Sequence, residues 1–147
     1  MKKNPQEINL NIPTLGYYLD RALCVMIKIL NKELKEYKLG FHHSDFTILK
    51  VLSETDGLSQ TELAGILGKE KSGIGRSLTS LENKGYINRS VINGCKKEVK
   101  LSEKGEEIIP LLNKIADKVT ERAFSGFPDK KRKEMMKNLT LIYKNSL

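Results

Sequence analysis

Residues 57–85 read GLSQTELAGILGKEKSGIGRSLTSLENKG, and the two helices inside this run decide the fold. Ser59-Gln-Thr-Glu62 is a capping box, in which the serine oxygen accepts from the amide three residues on and the glutamate reaches back to the serine amide. The spacing predicts a helix from there to Leu67 with Leu63, Ala64 and Leu67 inward, and Gly68 follows where a tight turn needs positive φ. A second helix is predicted from Lys71 to Lys84. It buries Ile74, Leu78 and Leu81 and stops at Gly85, a natural left-handed terminator. Two short helices joined by a glycine turn form a helix-turn-helix, whose second member presents the outward side chains of its first turns to a DNA groove. If Ile74 and Leu78 face inward, those outward positions are Lys71, Ser72, Gly73, Gly75 and Arg76.

Working outward, Tyr86–Ile92 and Lys96–Leu101 are strand-like runs separated by Asn93-Gly94, a strong short-hairpin signal, so a small wing follows the second helix. Ser102 can cap a long helix carrying Ile108, Leu112, Ile115, Val119 and Ala123 on one face, with Pro110 as a candidate kink. Gly126-Phe-Pro128 separates it from a last helix with Met135, Leu139 and Ile142. Upstream, Leu15, Leu19, Ala22, Leu23, Met26, Leu30 and Leu34 recur at helical spacing, and Pro13 suits that helix's first turn. Ser44 can cap a shorter helix, Asp45 to about Ser53, that buries Phe46, Leu49 and Leu52, and Asp56-Gly57 closes it. This order is a winged-helix layout: a mainly α single domain over residues 1–147 with one small β-hairpin. Residues 44–101 form its winged helix-turn-helix, and long helices over 11–38 and 103–147 flank it.

At 147 residues the chain suits one domain with its own core, and no segment approaches the roughly 20 apolar residues of a membrane span. The basic start Met1-Lys2-Lys3-Asn4-Pro5 lacks the apolar run of a secretory signal, so a cytoplasmic location is expected. Cys24 and Cys95 lie far apart without CxxC spacing, against both a zinc site and a disulfide framework. The net charge of +8 favours a polyanionic partner. Residues 59–101 carry net +4 and residues 39–58 net −2, so the excess includes the reading segment, although the flanking helical regions share it. No nucleophile–base–acid order, organised carboxylate pair or phosphate-binding glycine loop appears, so the sequence offers no catalytic residues and no cofactor site, and an enzyme is not expected.

The run Gly57–Ala64, then Leu67-Gly68, Leu81-Glu-Asn-Lys-Gly85-Tyr-Ile and Lys100-Leu-Ser-Glu-Lys-Gly105, resembles in wording and spacing the signature of the MarR family of transcriptional regulators, and the likeness covers nearly the whole chain. It implies a homodimer in which the first helix and the last two helices of each subunit interlock and hold two reading heads apart. It also implies a ligand-responsive repressor bound to double-stranded DNA at a pseudo-palindromic operator. Three places depart from the family pattern. Lys69 stands where a small apolar residue is usual, the reading helix carries Gly73 and Gly75, and Asn93-Gly-Cys-Lys-Lys97 replaces an Asp/Arg-rich wing tip. The alternative is a winged-helix protein-interaction module that has lost specific DNA binding.

Arg76 matches the family's reading arginine, which can grip a guanine bidentately or hold a phosphate; a solvated helix charge would look the same. Ser59, Gln60 and Thr61 could present amides and hydroxyls to a phosphate, or serve Ser59's capping role alone. Lys96 and Lys97 flank the wing tip and Arg89 lies on the wing strand, as phosphate contacts or as charges that protect an edge hairpin. Relatives bind aromatic ligands in the cleft between the reading and dimerisation regions, where Tyr17, Tyr18, Phe41, Phe46 and Leu112 could line a small-molecule effector site or simply pack the core. Cys24 falls where peroxide-sensing relatives carry a cysteine, but Lys28 replaces their supporting tyrosine, so a buried structural thiol is expected; Cys95 is expected at an exposed turn. His42 and His43, being adjacent, cannot readily share a tetrahedral metal, and a cap or polar pocket wall is the default.

Overall fold

A computed structural model describes residues 14–146, with Lys96 described in its backbone alone. The basic N-terminal segment, the expected helix start at residue 11 and the placement of Pro13 lie outside the described residues. Among the described residues, six helices and two strands follow in the expected order. α1 (Leu15–Glu36) begins after Thr14, whose side-chain oxygen accepts from the Tyr17 amide at 3.4 Å. α2 (His43–Glu54) starts earlier than the sequence suggested, and its cap is His42 rather than Ser44. The Asp45 carboxylate reaches back to the His42 amide at 3.0 Å, doing what a capping glutamate does one residue type shorter. Ser44 instead accepts from the Ser77 hydroxyl at 3.1 Å and so ties α2 to the reading helix.

α3 (Gln60–Leu67) and α4 (Lys71–Asn83) form the helix-turn-helix. Both bonds of the capping box are present: the Glu62 amide donates to Ser59 Oγ at 3.2 Å and the Ser59 amide to Glu62 Oε2 at 2.7 Å. Gly68 takes φ +58° at the turn between them, a conformation in which a Cβ would be strained. The wing is β1 (Ile87–Ile92) paired antiparallel with β2 (Lys96–Leu101), with Arg89 opposite Val99. Its loop is Asn93-Gly94-Cys95, with positive φ at Asn93 and Gly94. The Val99 amide also donates to the Leu58 carbonyl at 2.8 Å, which fastens the root of the wing to the segment before α3.

α5 (Glu103–Ala123) is capped by Ser102, whose oxygen accepts from the Gly105 amide at 3.0 Å, and it continues past Pro110. Gly105 is buried against the Tyr86 carbonyl oxygen, which stands where a Cβ would have to go, so α5 can leave the wing only over a glycine. α6 (Asp129–Asn145) closes the chain.

Among the described residues one apolar cluster joins all of these elements except α6. Leu30 and Leu34 of α1, Ile48, Leu49 and Leu52 of α2, Leu63 of α3 and Ile74, Leu78 and Leu81 of α4 meet Leu112, Ile115 and Val119 of α5, with Ile87 and Val99 closing the wing side. Ile48 is fully buried and Phe46 only partly, the reverse of their expected weights. The apolar stripe of α1 is buried only in its C-terminal half, since Leu15 is 58% and Leu23 52% exposed. α6 buries no residue at all. Beside the core, Lys118 of α5 donates to the buried Glu33 carboxylate of α1 at 2.7 Å, and this bond holds the lysine above its ordinary pKa.

Candidate nucleic-acid interface

The N-terminal turns of α4 carry Lys71, Ser72 and Arg76 exposed, with Gly73 and Gly75 half-buried between them. Burial of Ile74, Leu78 and Leu81 dictates this, because a helix that buries one face must present the opposite one. Among the described residues no hydrogen bond or ion pair engages the exposed Arg76 guanidinium, so none of its five donors has a partner there. Gln60 is differently employed: its side-chain amide donates to the Lys71 carbonyl at 2.9 Å and fixes the start of α4 against that of α3. Gly75 makes room for it, since a Cβ would stand 2.8 Å from Gln60 Nε2. Thr61 is exposed beside it, and Ser59 Oγ is engaged in its cap.

On the wing, Lys97 is exposed, while the Lys96 side chain lies outside what is described. Arg89 is not free. Its Nε donates to Glu82 Oε2 and its Nη2 to Thr79 Oγ1, each at 2.9 Å, so it binds the outer face of α4. An open groove of about 320 Å³ runs between wing and helix, bordered by Glu82, Arg89, Val91 and Lys97. Thr79 and Glu82 did not stand out in the sequence, because nothing local signals that a strand arginine will return to them.

The five cleft residues do not converge on one cavity. Phe46 lines a pocket of about 170 Å³ between α1, α2 and α5, together with Leu23, Met26, Leu30, His43 and Val119. Phe41 packs edge-on to Tyr86 with ring centroids 4.8 Å apart and borders a different hollow with Asn31 and Lys35. Leu112 is fully buried in the core, and Tyr17 and Tyr18 stack edge to face nearer the start of α1. Of the pocket's lining, Leu23, Met26, Leu30 and Val119 looked like plain core stripe in the sequence, and only the three-helix junction shows them to border a space.

His42 caps α2, and His43 donates its amide to Asn31 at 2.8 Å while its ring borders that pocket. Burial, and then the charge of Lys69, push the His43 pKa below its ordinary value, so the neutral imidazole is favoured. Cys24 requires a correction: it is exposed rather than buried, with its thiol 3.9 Å from Asp20 Oδ1, because it belongs to the half of α1 that no other element covers. Cys95 is exposed at the hairpin turn. Among the described residues no cluster of three or more His, Cys, Asp or Glu could hold a metal, and no helix is long and apolar enough to cross a membrane.

A capped helix-turn-helix, a wing rooted beside it and a reading face with an unengaged arginine define a winged helix DNA-binding protein. Residues 41–88 match the family model described as winged helix-turn-helix DNA-binding. The uncharacterized HTH-type transcriptional regulator YybA of Bacillus subtilis (strain 168) is 29% identical over 119 residues, 80% of this chain and 78% of its own length. The crystal structure of a MarR transcriptional regulator from Methanosarcina mazei Go1 superposes with a TM-score of 0.83 at 27% identity, over 89% of this chain and 88% of that one. The same fold recurs in CouR from Rhodococcus jostii RHA1, bound to p-coumaroyl-CoA, with a TM-score of 0.77 at 24% identity over 88% and 91% of the two chains. Over nearly nine-tenths of its length the chain is similar to MarR-family transcriptional regulators, and residues 41–88 carry the winged helix-turn-helix of a DNA-binding protein.

Proposed function

We propose that the protein is a ligand-responsive repressor that binds a pseudo-palindromic operator as a homodimer. The observation that carries this reading is Arg76: an exposed guanidinium without a partner among the described residues, in the second turn of a helix whose other face is locked into the core. In a major groove it would grip a guanine's O6 and N7, discriminating by about 1–3 kcal/mol, with Lys71 and Ser72 beside it and Thr61 and Lys97 toward the backbone. Lys96 would join Lys97 at the wing tip. Residues 11–38 and 103–147 would form the dimer, because the uncovered apolar halves of α1 and α6 lie there. Two heads would then meet half-sites about one helical turn, roughly 10 bp, apart.

The pocket at the α1, α2 and α5 junction is the place proposed for an effector. It has an apolar wall and one imidazole, and CouR offers the precedent of a family fold carrying an acyl-CoA ligand. At about 170 Å³ it is smaller than the roughly 300 Å³ at which ligand sites begin, so an occupant must part α1 from α2. That movement would change the spacing of the heads, and effector and DNA would weaken each other's binding by the same factor.

Selection of bound duplexes from a random pool, run with the wild type and with Arg76→Ala, tests the DNA-reading half. Enrichment of an inverted repeat by the wild type and its loss in the variant are expected. An identical enriched motif from both proteins would remove Arg76 from the reading role.

A further inference from the structure

We infer that Arg89 is a positioning residue that locks the wing onto the reading helix, and that it does not itself hold a DNA phosphate; the inference rests on the DNA-binding reading above. Its guanidinium is already engaged. Nε donates to Glu82 Oε2 at 2.9 Å, and Nη2 stands 2.9 Å both from that oxygen and from Thr79 Oγ1. Thr79 is committed in turn, since its only hydroxyl proton goes to the Gly75 carbonyl at 3.0 Å, leaving the oxygen to accept from Arg89. Thr79 and Glu82 are one turn apart on the same face of α4, directly beyond Arg76. A planar fork with donors in fixed directions suits two acceptors so placed, whereas an ammonium would reach one at a time.

The opposite strand is held as well. Val99, the residue paired with Arg89, donates its amide to Leu58. The root of the wing is therefore fastened on one side to α4 and on the other to the segment before α3, at one rung of the hairpin. A wing fixed in this way meets DNA in a set relation to Arg76, and that ordering need not be supplied on binding.

The clamp gives Glu82 an effect of unexpected sign. A carboxylate on a DNA-facing surface repels phosphate, so deleting its charge should strengthen binding if nothing else changed. Through the clamp, its loss frees Arg89 and the wing, and binding weakens.

The test is a set of anisotropy titrations of the full-length protein against the selected duplex across a salt series. Arg89→Lys and Glu82→Gln are each expected to bind roughly tenfold more weakly, a difference of about 1.4 kcal/mol, with the salt slope of the wild type. Thr79→Val keeps the ion pair and should lose affinity in the same direction by a smaller factor. The Arg89→Ala/Glu82→Ala double variant should bind no more weakly than either single one, because both remove the same clamp. Tighter binding by Glu82→Gln would overturn the inference. So would wild-type affinity in Arg89→Lys combined with a slope shallower by about 2 per dimer in Arg89→Ala, which is the behaviour of one phosphate contact per subunit. Failure of the wild type to bind any duplex would instead defeat the DNA-binding reading, and the clamp with it. Thermal melts of each variant separate loss of the clamp from loss of the fold.

Discussion

The reading head and the terminal helices satisfy their apolar residues in opposite ways. Between residues 43 and 101 the helical stripes close on one another, with Ile48, Leu49, Leu63, Leu78 and Leu81 at zero exposure. Along the N-terminal half of α1 and along α6 the same kind of stripe stays open, with Leu19 at 38%, Met136 at 54% and Leu141 at 55% exposure. Large exposed apolar faces on a soluble chain mark surfaces that expect company. The helix-turn-helix and wing close into a core that they share with Leu34 of α1 and with Leu112 and Ile115 of α5, whereas the first half of α1 and the whole of α6 leave their apolar residues open, and a second copy is the occupant proposed above.

Substitution in each region should separate these behaviours. Leu78→Ala, in the closed core, is expected to lose about 2–5 kcal/mol in denaturant unfolding, from lost transfer energy and the cavity left behind. Leu139→Asp, on the open stripe, is expected to leave the far-ultraviolet spectrum intact while sedimentation shows half the wild-type mass. Retention of the wild-type mass there would mean that α6 is an ordinary solvent face. Gly105→Ala forces a Cβ onto the Tyr86 carbonyl and should cost roughly 1–3 kcal/mol by overpacking, because backbone rather than a flexible side chain stands in the way. Ser59→Ala removes half of a capping box and should cost about 1 kcal/mol.

The smallest effect concerns pH. The folded protein holds His43 below its ordinary pKa of 6.5, so the unfolded chain binds the proton more readily. This contribution to stability is full above the unfolded value and is lost as pH falls from there through the folded one. Melting temperature should drop on acidification across that window, and His43→Gln should flatten the drop. An unchanged pH profile in the variant would place the dependence elsewhere.

Much of the head was legible because its signals are local. The Ser59/Glu62 box, Gly68, Gly85 and the Asn93-Gly94 turn each act within a few residues, and the apolar spacing of α4 fixed which face carries Arg76. Local reading failed where a distant partner decides. Ser44 looked like a cap, yet Asp45 reaching back to His42 sets the helix start and Ser77 takes the serine. Nothing near Gln60 or Arg89 in the sequence signals their partners within the fold, since one reaches 11 residues to Lys71 and the other engages a helix 7 and 10 residues away. Cys24 was expected inside because periodicity marks an apolar face without saying whether the same chain covers it.

Hydroxyl-radical footprinting of the purified protein on its selected operator tests the DNA-reading dimer most directly. Two protected patches on one face of the duplex, their centres about 10 bp apart and both lost with Arg76→Ala, are expected. A single patch, or uniform protection that Arg76→Ala leaves unchanged, would contradict a pair of sequence-reading heads.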